Sequence, residues 1–122
     1  MTTRTKWFDN YVARSYTGEV SMGEVANFLA DVNRDERLTF NFGVLHNFLR
    51  ANSVEFGTVG IVTIAAPTLG KPSYEAQTLR TAIVSKDAYF RNRVAELGLV
   101  CLRPVRSFAT VRDAEQWLSE TA

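Results

Sequence analysis

Histidine and cysteine are nearly absent: His46 and Cys101 each stand alone among 122 residues. One cysteine excludes a disulfide within the chain and any cysteine-rich metal site. One histidine excludes the multi-histidine centres and the familiar zinc motifs. Such cysteine usage suits a reducing compartment. Long apolar runs are missing too, and the polar stretch Met1 to Lys6 leads straight into Trp7 and Phe8. The expectation is a cytoplasmic chain with no integral membrane segment. Neither sign of charge dominates: 14 basic residues face 13 acidic ones, for a net charge of +1. That balance argues against a dedicated nucleic-acid binder.

What is present is ordinary globular material, 46% hydrophobic and 22% charged. This is enough apolar surface for one core and too little chain for two, so residues 1–122 are expected to form a single domain. No internal repeat, low-complexity tract or linker interrupts it.

Asn10 to Thr17 alternates around Tyr11, Ala13 and Tyr16 and ends at Gly18, the pattern of a first strand and turn. Trp7 and Phe8 either begin that strand or form a short extra one beside it. Ser21 and Glu24 make a capping box, and Val25, Phe28, Leu29 and Val32 then recur on one helical face. Leu38, Phe40, Phe42 and Val44 alternate with polar or small residues, and the run continues through Leu45, Phe48 and Leu49, which predicts a central strand. From Ser53 to Ala66 two readings stand. Val59, Ile61, Val62 and Ile64 favour a strand, whereas Ser53 as N-cap and Glu55 in a first turn favour a helix. Pro67 ends either one.

Leu79 to Val84 is a short apolar strand, and Ser85 is placed to cap a helix carrying Phe90, Val94 and Leu97 and stopping at Gly98. Leu99 to Phe108 forms the last strand, which Pro104 pushes toward a sheet edge. Thr110 with Asp113 caps a final helix whose buried face is Val111, Ala114, Trp117 and Leu118. Strands alternating with helices imply a parallel or mixed sheet covered by helices, an α/β fold.

Chemistry is sparse. His46 near a strand end, with Asn47 and Arg50 close by, is the one candidate base or ligand; the plainer reading is a strand histidine with a hydrogen-bonded ring. Cys101, between Val100 and Leu102, reads as a small buried hydrophobe. Gly70-Lys71 resembles the end of a phosphate loop, but Ala65 and Pro72 break that motif. Between Arg80 and Arg112 lie Lys86, Arg91, Arg93, Arg103 and Arg106 against only Asp87 and Glu96. A surface gathering these would attract phosphate, an acidic partner or, by peripheral contact, an anionic membrane.

Tyr16 to Val25 (YTGEVSMGEV), Leu79 to Ser85 (LRTAIVS) and Arg106 to Leu118 (RSFATVRDAEQWL) together resemble the small SpoIIAA-like proteins. Those chains show a Gly-x-Val-Ser/Thr turn into the first helix, an Ala-Ile-Val strand and a closing Phe…Ala-x-x-Trp-Leu helix. The resemblance implies a mostly parallel or mixed sheet of four to five strands with about four helices, related to STAS domains and more loosely to CRAL-TRIO lipid-binding domains. It implies that Val44 to Arg50 ends the central strand and that Phe56 to Ala66 is a helix. STAS-type regulators carry a phosphorylatable serine after that strand, in an Asp-Ser-Ser/Thr-Gly motif. Ser53 falls near that place, within Arg50 to Gly57 (RANSVEFG), but the Asp and the neighbouring Gly are missing.

Three function classes follow. The first is a non-catalytic binding or regulatory module that docks a protein partner, with His46, Arg50, Ser53 and Phe56 as binding candidates and Ser53 as a phosphorylation site. The second is a carrier or sensor of a small apolar or lipid-like ligand, suggested by the apolar stretch Val54 to Ala66. The third, an enzyme using His46, Arg50 and a carboxylate brought by folding, has the least support, since no nucleophile, base and anion-binding element converge. No cofactor is implied. At 11% aromatic residues, a homodimer is one further way to hide apolar surface.

Overall fold

The computed structural model describes residues 4–35, 43–54, 80–98 and 105–120. Strands β1 (Arg4–Trp7), β2 (Tyr11–Val20), β3 (Gly43–Val54), β4 (Thr81–Val84) and β5 (Val105–Phe108) form one sheet in the order β1-β2-β3-β4-β5. Only β1 and β2 pair antiparallel; the other three pairings are parallel. Three helices are described, α1 (Met22–Arg34), α2 (Ala88–Gly98) and α3 (Val111–Ser119). Trp7 therefore belongs to a short extra strand, β3 is central, and β5 is an edge. The helix expected over Phe56 to Ala66 lies outside the described residues, as do Leu38, Phe40, Phe42, Cys101 and Pro104.

The two faces of the sheet are covered differently. On one, Val25, Phe28 and Val32 of α1 and Phe90 and Val94 of α2 pack over Val12, Tyr16, Val44, Phe48 and Ile83. On the other, Ala114, Trp117 and Leu118 of α3 pack over Tyr11, Leu45, Ala82 and Val84. Alternation along each strand explains this split, because successive side chains point to opposite faces.

Caps fix the helix starts. Ser21 Oγ accepts the Glu24 N–H at 3.4 Å, and Thr110 Oγ1 accepts the Asp113 N–H at 3.2 Å. The start of α2 corrects the expectation at Ser85. Asp87 Oδ1 accepts from the N–H groups of Tyr89 and Phe90, while Ser85 Oγ accepts from the Asp87 N–H. Aspartate takes the cap because a carboxylate holds the orphaned amides and faces the positive end of the helix dipole.

Gly43 begins β3 where the sheet meets α3. A Cβ there would lie 2.7 Å from Leu118 Cδ2 and 3.4 Å from Tyr11 Cβ. Gly43→Ala is expected to destabilise the fold by about 1–3 kcal/mol through overpacking, read as a lower urea midpoint at unchanged slope.

Candidate functional site

β3 runs to Val54, beyond the expected end at Arg50. The extension holds because β2 pairs with it throughout, to Val20↔Val54, with two irregularities in register. Ser15 faces Asn47 and Thr17 faces Arg50, so two steps along β2 match three along β3. One extra residue in β3 is a bulge, which lets two consecutive side chains share a face. Phe48 and Ala51 accordingly pack on the α1–α2 side, whereas Leu49 packs on the α3 side. Asn47 Oδ1 accepts the Leu49 N–H at 3.0 Å, satisfying an amide at the irregularity. Gly18, within the second irregularity, has φ +72, a value glycine adopts without strain.

The bulge places Arg50 beside an open cleft of about 450 Å³ lined by Arg4, Ser15, Thr17, Asn47 and Arg50. Three adjacent strands contribute: Arg4 faces Ser15 across β1–β2, and Ser15 faces Asn47 across β2–β3. The cleft lies toward the carboxyl ends of β2 and β3, the end at which open α/β sheets receive ligands. All five of its described lining side chains carry hydrogen-bond donors, and none of these five is acidic.

His46, one residue from Asn47, projects to the opposite face and is 0% exposed. Its ring sits edge-on to Phe28 at 5.5 Å and stacked with Phe48 at 6.1 Å, and a hydrogen bond of 3.1 Å joins Nδ1 to Tyr16 Oη. Burial, ahead of any nearby charge, pushes the Tyr16 hydroxyl well above its ordinary range; Arg14 opposes that shift and Glu24 adds to it. His46 is thus part of the packed interior, and the structure does not bring it together with Arg50. The plainer reading of this residue describes its surroundings.

Of the other candidates, Arg50 is exposed at the cleft. Ser53 is the penultimate residue of β3, opposite Glu19, so the strand passes through it and it does not cap a helix whose first turn would include Val54. Phe56 lies outside the described residues. Arg4, Ser15 and Thr17 escape a reading of the sequence as a site, because only strand pairing makes them neighbours of Asn47 and Arg50. Of the basic stretch after Arg80, Arg80 and Arg106 share the Trp117 ring, and Arg103 lies outside the described residues. Arg80 donates to the Trp117 carbonyl at 2.7 Å, Arg91 donates to the Ser85 carbonyl at 2.7 Å, and Arg106 lies over the rings of Phe108 and Trp117. No group of three or more His, Cys, Asp or Glu suited to a metal occurs among the described residues. None of the described helices is long and apolar enough to cross a membrane.

No family model and no curated protein matches the chain. Solved structures do. An uncharacterized protein of the DUF3478 family with a SpoIIAA-like fold, from Shewanella loihica PV-4, superposes with TM-score 0.61 at 14% identity, covering 96% of this chain and 92% of that one. The anti-sigma factor antagonist SpoIIAA in its unphosphorylated form superposes with TM-score 0.62 at 15% identity, covering 98% of this chain and 100% of that one. The chain has a SpoIIAA-like α/β fold.

Proposed function

We propose that this chain is a non-catalytic binding module of the cytoplasm whose protein partner docks at the carboxyl ends of β2 and β3. The observation that carries the reading is the division of β3 between its faces. His46 is sealed in the core, while Arg50 on the same strand is exposed beside an open cleft of uncharged and basic side chains. Among its described lining residues there is no His, Asp, Glu or Cys to act as a base, and such a surface suits the holding of a partner. The likeness to an anti-sigma factor antagonist, a protein that acts through another protein, supports the same reading. Ser53, three residues beyond Arg50, is the candidate modification point within it, and phosphate there would add negative charge at the strand end.

The test is crosslinking in cells of the source organism with tagged wild-type chain, Arg50→Glu and Arg112→Glu. Wild type and Arg112→Glu are expected to capture the same partner, and Arg50→Glu to lose about tenfold or more of it, as reversal of a central interface charge does. Ser53→Asp should weaken the same capture. Absence of a partner across several growth conditions, or undiminished capture by Arg50→Glu, overturns the reading.

A further inference from the structure

The cleft also specifies a class of ligand. Arg4 comes from β1 and Arg50 from β3, with Ser15 and Thr17 of β2 between them. Adjacent strands lie about 4.8 Å apart and Arg50 is paired two residues further along β2 than Arg4, so the two arginine backbones stand roughly 12 Å from each other with the hydroxyls between them. Both arginine side chains line the cleft. Asn47 has its oxygen engaged by the Leu49 N–H, which leaves its NH₂ group as the end that can donate. The described lining is therefore two arginines, from β1 and β3, with hydroxyl and amide groups from β2 and β3 and no carboxylate among the five residues.

Guanidinium forks match the paired oxygens of a phosphate, and neutral donors beneath satisfy the remaining ones. A volume of about 450 Å³ suits a small molecule better than a bare ion. We propose that this cleft binds the phosphate group of a small ligand, held between Arg4 and Arg50 above Ser15, Thr17 and Asn47. The assignment rests on the strand-end surface being a binding surface, and it adds a ligand that the protein-docking reading does not require. A soluble phosphate compound and the phosphate of a lipid headgroup share this chemistry.

Calorimetric titration with inorganic pyrophosphate at low ionic strength tests the soluble source. Sedimentation with vesicles of phosphatidic acid in phosphatidylcholine tests the headgroup. Wild type is expected to bind one of the two saturably. Arg4→Gln and Arg50→Gln should each weaken that binding about tenfold or more, and Arg50→Lys less, since it keeps the charge and loses the fork. Arg112→Gln, an equal loss of charge on the exposed side of α3, should leave binding unchanged; circular dichroism melts confirm that each variant is folded. Absence of binding to both probes, or equal loss in Arg112→Gln, overturns the proposal. If Arg50→Glu loses the crosslinked partner while wild type binds neither probe, the docking reading stands and the phosphate site falls. Phosphate binding lost in the two arginine variants with no partner captured gives the reverse.

Discussion

Trp117→Ala is expected to destabilise the protein by about 3–5 kcal/mol, the range for removing a large ring from a core. Trp117 is 8% exposed and packs with Tyr11, Leu45, Ala82, Val84 and Leu118 beneath α3. Its ring also lies 5.4 Å from the Arg80 guanidinium and 5.7 Å from that of Arg106, and its carbonyl accepts from Arg80. Truncation thus opens a cavity and removes the surface on which two cations rest, each such contact adding about 0.5–1 kcal/mol at a partly exposed site. Chemical denaturation should show the loss as a lowered midpoint. A change under about 1 kcal/mol would mean that α3 contributes far less to the sheet than its packing implies.

The second large effect centres on His46. His46→Ala is expected to cost about 3 kcal/mol or more, since it empties a fully buried site and leaves the Tyr16 hydroxyl without its imidazole partner. Tyr16→Phe keeps the ring and removes only the hydroxyl, for about 1–3 kcal/mol. Tyr16 and a second buried tyrosine, Tyr11, set an alkaline limit. Tyr16 and Tyr11 both hold their protons above the ordinary value of 10.0, with burial the largest cause for each and the Glu115 carboxylate, 2.5 Å from the Tyr11 hydroxyl, a further one for Tyr11. Because these values are raised in the folded state, the stabilisation is complete below pH 10 and is lost as pH rises through the folded values. Tyr16→Phe should make the fall in urea midpoint above pH 10 shallower than in wild type. An unchanged slope would show that Tyr16 does not ionise on unfolding in that range.

Period and caps carried most of the fold into view. Val25, Phe28 and Val32 of α1, the Thr110 cap and Ala114, Trp117 and Leu118 of α3 are local signals that the structure places as expected, while Val111 of the same expected face is only partly buried. The Ser85 cap shifted to Asp87 because two candidate oxygens two residues apart compete, and only geometry ranks them. The end of β3 was misplaced because a strand continues as long as a neighbour pairs with it, and that neighbour is β2, far away in the chain. The candidate site was less legible still. Arg50 stood out through its place beside His46, but the two point to opposite faces. Its actual neighbours, Arg4, Ser15 and Thr17, become neighbours only through the register of three strands and one bulge. His46 attracted attention by being unique, and uniqueness says nothing about which side of a sheet a residue faces.

The spatial order of the strands is also their order along the chain, β1-β2-β3-β4-β5. Every described strand after the first joins an edge left open by its predecessor, and none of these five has to be inserted between two already paired. During synthesis the ribosome releases them in the order in which the sheet can accept them. The antiparallel hairpin of β1 and β2 closes first, on the microsecond scale of such hairpins, and each parallel addition waits for its crossover. The sheet can therefore grow one strand at a time while the chain is still emerging, with a single advancing edge to protect from unwanted pairing.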